Sequence, residues 1–331
     1  MHDSYGSDVG PQVVCIGSAA LDMVLAVNAP PGADDRVGAS EATLAGGGPA
    51  ATAAVTLSRL GVSVAFVGRI GTDAAGTFIR DDLDRRGVNT DLLQPDPELT
   101  SSMSACLVQP DGSRALAAFG GPATTPWPVT PAIESACRSA RWVHVDQAGW
   151  QVATQLWARG VHTPLSVDGG NPIPGLDLGI VTLYAPGRRE LCRWTAEPDF
   201  EKALLVAFHA GAPVVVATDG ANGSMALTAL PRGTMDLSTA RETRPARAGF
   251  EPYAIRQSAF PAAGTSTLGA GDVYHGALLA ALLDGQPLPL AMAFAAAAAA
   301  ISCRGIDGRS GIPSRSEVDQ LVGVAAVGTS R

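Results

Sequence analysis

Short apolar runs alternate with helical patterns along most of this chain. Runs rich in β-branched residues predict buried strands at Val13–Ile16, Val62–Ile70, Trp142–Val145, Leu165–Val167 and Val214–Ala217. Apolar residues at helical spacing predict helices over Phe78–Arg86, Val152–Arg159 and Lys202–His209. Strands that alternate with helices favour an α/β fold with a parallel, doubly wound sheet, and ligands bind such a sheet outside the carboxyl ends of its strands.

Two segments break this alternation. Residues 24–45 contain Pro30 and Pro31 and show no helical period, and residues 102–119 predict two strands around Asp111-Gly112, which is a hairpin signal. Both segments are expected to form a small β-lid that rises from the main sheet.

Three further stretches are interpreted from their composition. Residues 229–256 are polar, carry five arginines and are expected to form an irregular surface excursion. Asp81 and Asp82 are expected on the solvated surface. The alanine-rich run from Leu288 to Ile301 predicts a buried helix, and it is shorter than the ~20 residues that a membrane span needs.

The composition narrows the function classes. The 331 residues are 46% apolar and carry a formal net charge of -8, so a large core is expected and a nucleic-acid coat, which needs a basic face, is not. Lys202 is the only lysine and belongs to no P-loop, so phosphate binding must rely on backbone N–H groups, helix N-termini or arginine. Five scattered cysteines without a CxxC pair and a polar, acidic start that does not resemble a signal peptide predict a reducing cytoplasm.

The strongest candidate site is the turn Gly269-Ala270-Gly271-Asp272, which precedes an apolar helical pattern. Such a turn presents backbone N–H groups at a helix N-terminus, where an anion binds well. A carboxylate at Asp272 beside a bound phosphate is electrostatically awkward unless it accepts a proton from an attacking hydroxyl. The alternative is an acidic residue that merely stabilises the start of the helix, and the local pattern leaves both interpretations open.

Two other loops are candidates. Gly46, Gly47 and Gly48 precede a helix, which indicates either close backbone approach to a ligand or a tight packing loop. Thr218, Gly220 and Gly223 follow a predicted strand, as part of either a ligand loop or a hairpin turn.

Two single residues complete the set of candidates. Asp22 could hydrogen-bond substrate hydroxyls or form an Asx turn. His275 lies on the same helix face as Asp272 and is expected simply to pack.

Together these motifs resemble the PfkB/ribokinase family of carbohydrate kinases. Gly46 to Gly61 matches the family's N-terminal signature, Gly269 to Asp272 its C-terminal signature, and Thr218-x-Gly220-x-x-Gly223 its nucleotide-side loop. The resemblance implies a ribokinase-like three-layer fold over residues 12–322 with a β-lid, a flexible tail at 1–11 and a C-terminal tail at 323–331. The strings GGGPAATAA and GAGDVYHGAL look most like the branch that contains sulfofructose kinase.

The resemblance also implies roles for these residues. Asp272 would be the general base, and the N–H groups of Gly269, Ala270 and Gly271 would stabilise the transferred phosphoryl group. Asp22 and Gly46–Gly48 would face the sugar, with Arg36 in the lid as a contact for an acidic group. Thr218, Gly220 and Gly223 would face ATP, and Glu190 would help to organise Mg²⁺ through its waters. A homodimer through the lid is a further expectation.

The chain departs from the family pattern at three positions. Ser266 stands where the family often has an Asp that helps to hold a monovalent cation, which weakens the expectation of K⁺ activation. Ala51 replaces the sugar-binding Asn of the first signature, and Gly187 replaces the Asn of Asn-x-x-Glu. A standard ribokinase is therefore not expected.

The sequence thus predicts an ATP-dependent kinase that phosphorylates a hydroxymethyl group of a ketose or related small-molecule sugar. A nucleoside kinase of the adenosine type and a non-catalytic sugar-binding protein of the same fold are the alternatives. Neither a nucleic acid nor a membrane is an expected partner.

Overall fold

A computed structural model describes residues 10–121, 127–230, 252–262, 264 and 266–328 of the chain. Among these residues, nine strands form the main sheet, in the order β13-β12-β11-β10-β9-β8-β1-β4-β5. The strands from β11 to β5 are parallel, and β12 and β13 add an antiparallel edge. Their bounds are β1 Val13–Ile16, β4 Val64–Gly71, β5 Leu93–Asp96, β8 Trp142–Val145, β9 Leu165–Gly169, β10 Leu183–Pro186, β11 Val214–Thr218, β12 Ser224–Thr228 and β13 Tyr253–Gln257.

Helices cover both faces of this sheet, which is why its inner strands read as continuous apolar runs. Along β1, Val13 and Cys15 belong to one hydrophobic core, whereas Val14 and Ile16 belong to the other. The first core contains side chains of α1 Pro49–Arg59, α2 Ala74–Arg85, α7 Ala270–Leu283, α8 Leu288–Ser302 and α9 Arg315–Gly328. The second contains those of α3 Pro131–Ser139, α4 Trp150–Ala158, α5 Arg188–Thr195 and α6 Phe200–His209. The expected three-layer, doubly wound architecture is therefore confirmed.

A second sheet of four strands forms the lid, in the order β3-β2-β6-β7. Its strands are β2 Ala20–Val27, β3 Ala39–Gly47, β6 Ser102–Val108 and β7 Arg114–Phe119. β6 and β7 form the antiparallel hairpin that Asp111-Gly112 predicts. The lid begins four residues before the expected position 24, because β2 pairs with β3 as far back as Ala20.

Three expectations need correction. Tyr253–Gln257 is a strand that pairs with β12 rather than part of an irregular excursion, and residues 231–251 of that stretch lie outside the described residues. Helix α9 continues to Gly328, past residue 323 where a C-terminal tail was expected. Asp82 is buried rather than solvated, because Arg309 is folded against it.

The alanine-rich run forms the buried helix α8. Within the part of the chain that the structure describes, no helix has the length and apolar character needed to cross a membrane.

Candidate active site

The carboxyl ends of the parallel strands open into a cavity of about 1090 Å³. Ser18 after β1, Asp168 in β9, Gly187 after β10 and Thr218 at the end of β11 all line it. The order of the strands reverses at β1, so this is the edge at which a doubly wound sheet binds ligands. The lid contributes the opposite wall through the side chains that β2, β6 and β7 turn inward.

The predicted anion turn forms the N-terminus of α7 and faces this cavity. Gly269 caps the helix with φ 72°, and no side chain bonds to the first-turn N–H groups. A Cβ on Gly269 would come within 2.8 Å of the Cα of Gly308, whereas a Cβ on Gly271 would meet no protein atom within 4 Å. The first position therefore needs glycine for the turn, and the space before Gly271 is open to a ligand.

Asp272 lies in the first turn of α7 and lines the same cavity as Asp22, Gly47 and Gly48. Burial raises the pKa of its carboxyl group to about 7, with a further contribution from the negative charge of Asp168 and an opposing one from His275. A carboxylate whose pKa lies near neutrality is suited to act as a general base.

Asp168 and His275 form a buried ion pair close to Asp272. The Nδ1 atom of His275 lies 3.0 Å from Oδ2 of Asp168, and the two side chains are 4% and 3% exposed. Burial has the largest single effect and would raise the pKa of Asp168, but His275, His144 and the N–H of Gly170 together lower it. Burial likewise has the largest single effect on His275 and would lower its pKa, but the negative charges of Asp168 and Asp272 together raise it.

On the lid side, Asp22 is buried in β2 and accepts a hydrogen bond of 2.6 Å from the hydroxyl of Ser104. Burial raises the pKa of Asp22, and the Ser104 bond opposes this. A Cβ on Gly47 would come within 2.0 Å of the Asp22 carboxylate, so the glycine loop lies directly against it. Asp22 is therefore a strand residue facing the cavity, not an Asx turn.

Arg309 holds the glycine loop from behind. Its guanidinium group donates to Asp82 Oδ2 at 2.6 Å, to the carbonyl of Gly47 at 2.8 Å and to Thr52 Oγ1 at 3.2 Å. The side chain is only 1% exposed, so these contacts replace its hydration. The segment that carries Arg309 also packs Gly308 against Gly269, which connects the glycine loop to the predicted anion turn.

The lid reaches the anion turn through Arg114 on β7. Its Nη1 atom donates to Thr267 Oγ1 at 2.8 Å, and both residues line the cavity. This contact brings a positive charge to the edge of the turn at which an anion would bind.

The three residues that are expected to face a nucleotide are less tightly grouped. Thr218 lines the cavity, whereas Gly220 and Gly223 lie in the turn that joins β11 to β12. Because these two strands are antiparallel neighbours, the backbone of this loop is the hairpin turn that was one of the two interpretations. A second cavity of about 570 Å³ touches the same loop at Asp219 and Asn222.

Glu190 lies in the first turn of α5, where Arg193 pairs with its carboxylate. Its neighbour Arg189 lines the larger cavity, but Glu190 itself does not.

Two other candidates lie outside the cavity wall. A Cβ on Gly46 would meet Arg309 rather than a ligand space. Arg36 is exposed in the loop that joins β2 to β3. Gly46 is thus required for the packing of Arg309, and Arg36 does not reach the cavity in this arrangement.

Sequence reasoning missed Asp168, Arg114 and the Arg309–Asp82 pair. Asp168 follows the predicted strand Leu165–Val167, so the strand-end rule could have found it. Arg309 and Asp82 are 227 residues apart, and no local pattern connects them.

Comparisons with known proteins agree with this geometry. A family model described as "pfkB family carbohydrate kinase" matches residues 11–315. A ribokinase of Arabidopsis thaliana is 27% identical, covering 94% of this chain and 81% of the relative. The structure of Arabidopsis thaliana ribokinase with ribose and ATP superposes with a TM-score of 0.77 at 24% identity, covering 95% of this chain and 99% of the other. A Burkholderia thailandensis nucleoside kinase in complex with inosine superposes with a TM-score of 0.71 at 16% identity, covering 95% and 96%.

Proposed function

Because this chain belongs to the pfkB family of carbohydrate kinases, we propose that it transfers the γ-phosphoryl group of ATP to a hydroxymethyl group of a ketose or related sugar. Family membership makes it a phosphotransferase with an alcohol group as acceptor. The observation that carries the proposal is the position of Asp272, which shares one cavity with the open turn of α7 and with Asp22 and Gly47.

Asp272 takes the proton from the acceptor hydroxyl as the oxygen attacks phosphorus. Burial has already brought the pKa of its carboxyl group to about 7, so the carboxylate is present at neutral pH and still accepts a proton readily. The N–H groups of the turn Gly269-Ala270-Gly271 stabilise the charge on the transferred group, and Arg114 adds a positive charge from the lid.

Asp22 binds hydroxyl groups of the sugar. Its carboxylate is oriented by Ser104 and lies against Gly47, which leaves it directed at the cavity from the lid side. Closure of the lid over this cavity excludes water and limits hydrolysis of ATP.

The nucleotide binds at the ends of β10 and β11. Thr218, Gly220 and Gly223 form its loop, and Gly187 at the start of α5 is bridged to Thr218. Mg²⁺, which ATP brings with it, prefers phosphate, carboxylate and water oxygens. Glu190 supplies a carboxylate in the first turn of α5, beside the cavity-lining Arg189, and would act on the ion only through water molecules.

Replacing Asp272 with Asn tests the base directly. We expect turnover to fall by about 10²–10⁴-fold while ATP affinity, measured by calorimetry, changes little. Asp284→Asn, at the exposed C-terminal end of the same helix, is the matched control and should retain full turnover. An Asp272→Asn enzyme as fast as the wild type would falsify the proposal.

A coupled ADP-release screen identifies the acceptor. Ketoses, ketogluconates, a sulfonated ketose, ribose, adenosine and inosine are compared at equal concentration. Phosphorylation of nucleosides alone would favour the nucleoside-kinase alternative, for which Leu116 offers an apolar wall in the cavity. Binding of a sugar without any ADP formation would instead identify a non-catalytic sugar-binding protein.

We also propose that a second copy of this chain covers the outer face of the lid. The strands pair Met23 with Leu44 on the face opposite Asp22, and these two side chains are 45% and 56% exposed. An apolar sheet face of this kind is typical of a protein interface. Leu44→Glu should convert a dimer to a monomer in light scattering, whereas Leu290→Glu, an equally exposed leucine on α8, should not; a wild-type monomer would refute this.

The cysteines are consistent with a cytoplasmic location, which we propose on that ground alone. All five are free thiols, and Cys192 is the only one of them that is not buried. Burial raises the pKa of Cys137 to about 12, which keeps this thiol unreactive.

A further inference from the structure

Three carboxylates lie together at the strand ends: Asp146 after β8, Asp168 in β9 and Asp272 on α7. The oxygens of Asp146 accept hydrogen bonds from Ser18, Ala50, Ala148 and Gly149, so backbone and hydroxyl groups satisfy it without a cation. The other two carboxylates need a positive charge nearby if both are to be ionised, because like charges in a buried site oppose each other.

Four charged groups act on Asp272: Asp168 from β9, Asp146 from the loop after β8, Arg114 from β7 of the lid and His275 from α7 itself. Asp168 and Asp146 oppose its ionisation, while His275 and Arg114 favour it. Arg114 is exposed on the lid, so solvent screens its charge. His275 is buried on the same helix, one turn after Asp272, and is therefore the cation whose effect is least screened.

Asp168 is the partner that allows His275 to carry this charge. The 3.0 Å contact between Nδ1 and Oδ2 is an ion-pair distance, and Asp168 also accepts a 2.7 Å hydrogen bond from the N–H of Gly170, which fixes the carboxylate. The adjacent His144 cannot share the charge, because burial lowers its pKa to about 4 and its Nδ1 already contacts Ser166.

The same cluster, His144, Asp168 and His275, has ligand atoms within 4.8 Å of one another and could be considered a metal site. Tetrahedral Zn²⁺ would hold its ligand atoms about 3.3 Å apart. The Nδ1 atom of His275 and Oδ2 of Asp168 are closer than this, at 3.0 Å, which is the separation of a buried salt bridge.

We infer that His275, held in its charged form beside Asp168, offsets the negative charge of Asp168 at Asp272 and so favours the ionised form of the base. This inference deepens the proposed function and rests on the assignment of Asp272 as the base. His275 and Asp168 are positioning residues in this scheme, since they act through Asp272 and do not exchange protons with the substrate.

His275→Asn tests the inference because it removes the cation and keeps a polar side chain. We expect the acidic limb of the kcat/KM profile to move up by about one pH unit, which lowers activity about tenfold at pH 6 and less than twofold at pH 9. The double variant Asp168→Asn/His275→Asn removes both charges, so its acidic limb should return towards that of the wild type. A His275→Asn enzyme that loses activity equally at every pH would show a merely structural role and overturn the inference.

Nitrogen-15 NMR of the wild-type imidazoles provides a test that needs no activity and no variant. His275 should be protonated at pH 7, and the exposed His162 provides a second imidazole signal for comparison. A neutral His275 at pH 7, or stoichiometric zinc in the purified protein by mass spectrometry of metals, would each refute the inference. Since this measurement does not involve the phosphoryl transfer, its failure is distinguishable from failure of the kinase proposal, which only Asp272→Asn and the acceptor screen address.

Discussion

Replacement of Arg309 by Met tests how the sugar-side loop is held. The substitution keeps an unbranched, apolar side chain of similar length but removes the contacts to Asp82, Gly47 and Thr52. It leaves the carbonyl of Gly47 without this donor, at the point where the loop meets Asp22.

The expected loss of stability follows from the burial of the Arg309–Asp82 ion pair. Removing one partner of a buried ion pair destabilises a protein by about 3–5 kcal/mol. Arg86 remains 2.9 Å from the other carboxylate oxygen of Asp82, so the lower end, about 3 kcal/mol, applies here. A chain of 331 residues unfolds with an entropy of about 0.7 kcal/mol per degree, so Tm should fall by about 4 °C. Loss of one hydrogen bond from a charged donor should raise the KM of the sugar about tenfold.

Differential scanning calorimetry and steady-state kinetics measure the two effects. Arg256→Met is the matched control, because Arg256 pairs with Glu201 on the surface, where both side chains are more than half exposed. Such a pair contributes about 0–1 kcal/mol, so its Tm should change by about a degree or less. The KM of ATP should stay within about twofold for Arg309→Met, since the guanidinium group contacts the sugar side.

A double-mutant cycle with Asp82→Asn tests whether the direct interaction between Arg309 and Asp82 stabilises the protein. The effects of the two substitutions should be non-additive by about 1–3 kcal/mol. Additive effects, or a Tm change no larger than that of Arg256→Met, would refute the argument from burial. An unchanged sugar KM in a destabilised variant would separate a structural role from the positioning of Gly47.

Two further predictions concern the anion turn. Gly269→Ala should reduce kcat at least about tenfold, because the residue has φ 72° and the new Cβ would lie 2.8 Å from Gly308. Gly160→Ala is the control, since Gly160 has a similar φ of 75° but its Cβ would enter open space. This control should lose only about 1 kcal/mol of stability and keep its kcat unchanged. The carboxyl group of Asp272 has a pKa of about 7 in the folded protein and about 4 in the unfolded chain. Between about pH 4 and pH 7 the folded protein therefore holds a proton that the unfolded chain has lost, so the stability of the fold falls as pH rises through this range. Asp272→Asn should therefore raise the Tm of the ligand-free enzyme at pH 8.5 by about 2–5 °C and change it less at pH 5, and a lower Tm at pH 8.5 would contradict this.

Local patterns were sufficient for much of the fold. The runs at Val13–Ile16 and Trp142–Val145 become strands with those bounds, because a strand buried on both faces consists mostly of apolar residues. The Asp-Gly turn of the lid hairpin and the Gly269 turn before α7 were recognisable for the same reason, since each depends on the conformation of a few adjacent residues.

Local patterns failed where a long-range partner decides the environment. Asp82 has a neighbouring acid and a helical context, which predict a surface residue, yet Arg309 buries it. His275 was expected only to pack, yet Asp168 makes it an ion-pair partner. The strand Tyr253–Gln257 was missed because a strand at the edge of the sheet, beside β12, does not need a continuous apolar run.

The sequence by itself determined the alternation of strands and helices, the family signatures and the residue types available for phosphoryl transfer, because these are properties of neighbouring residues. Only the tertiary structure decided which of those residues share a cavity, which carboxylate has its pKa raised by burial and which cation compensates it. Burial and charge pairing depend on distances between segments far apart along the chain, and a linear pattern does not contain those distances.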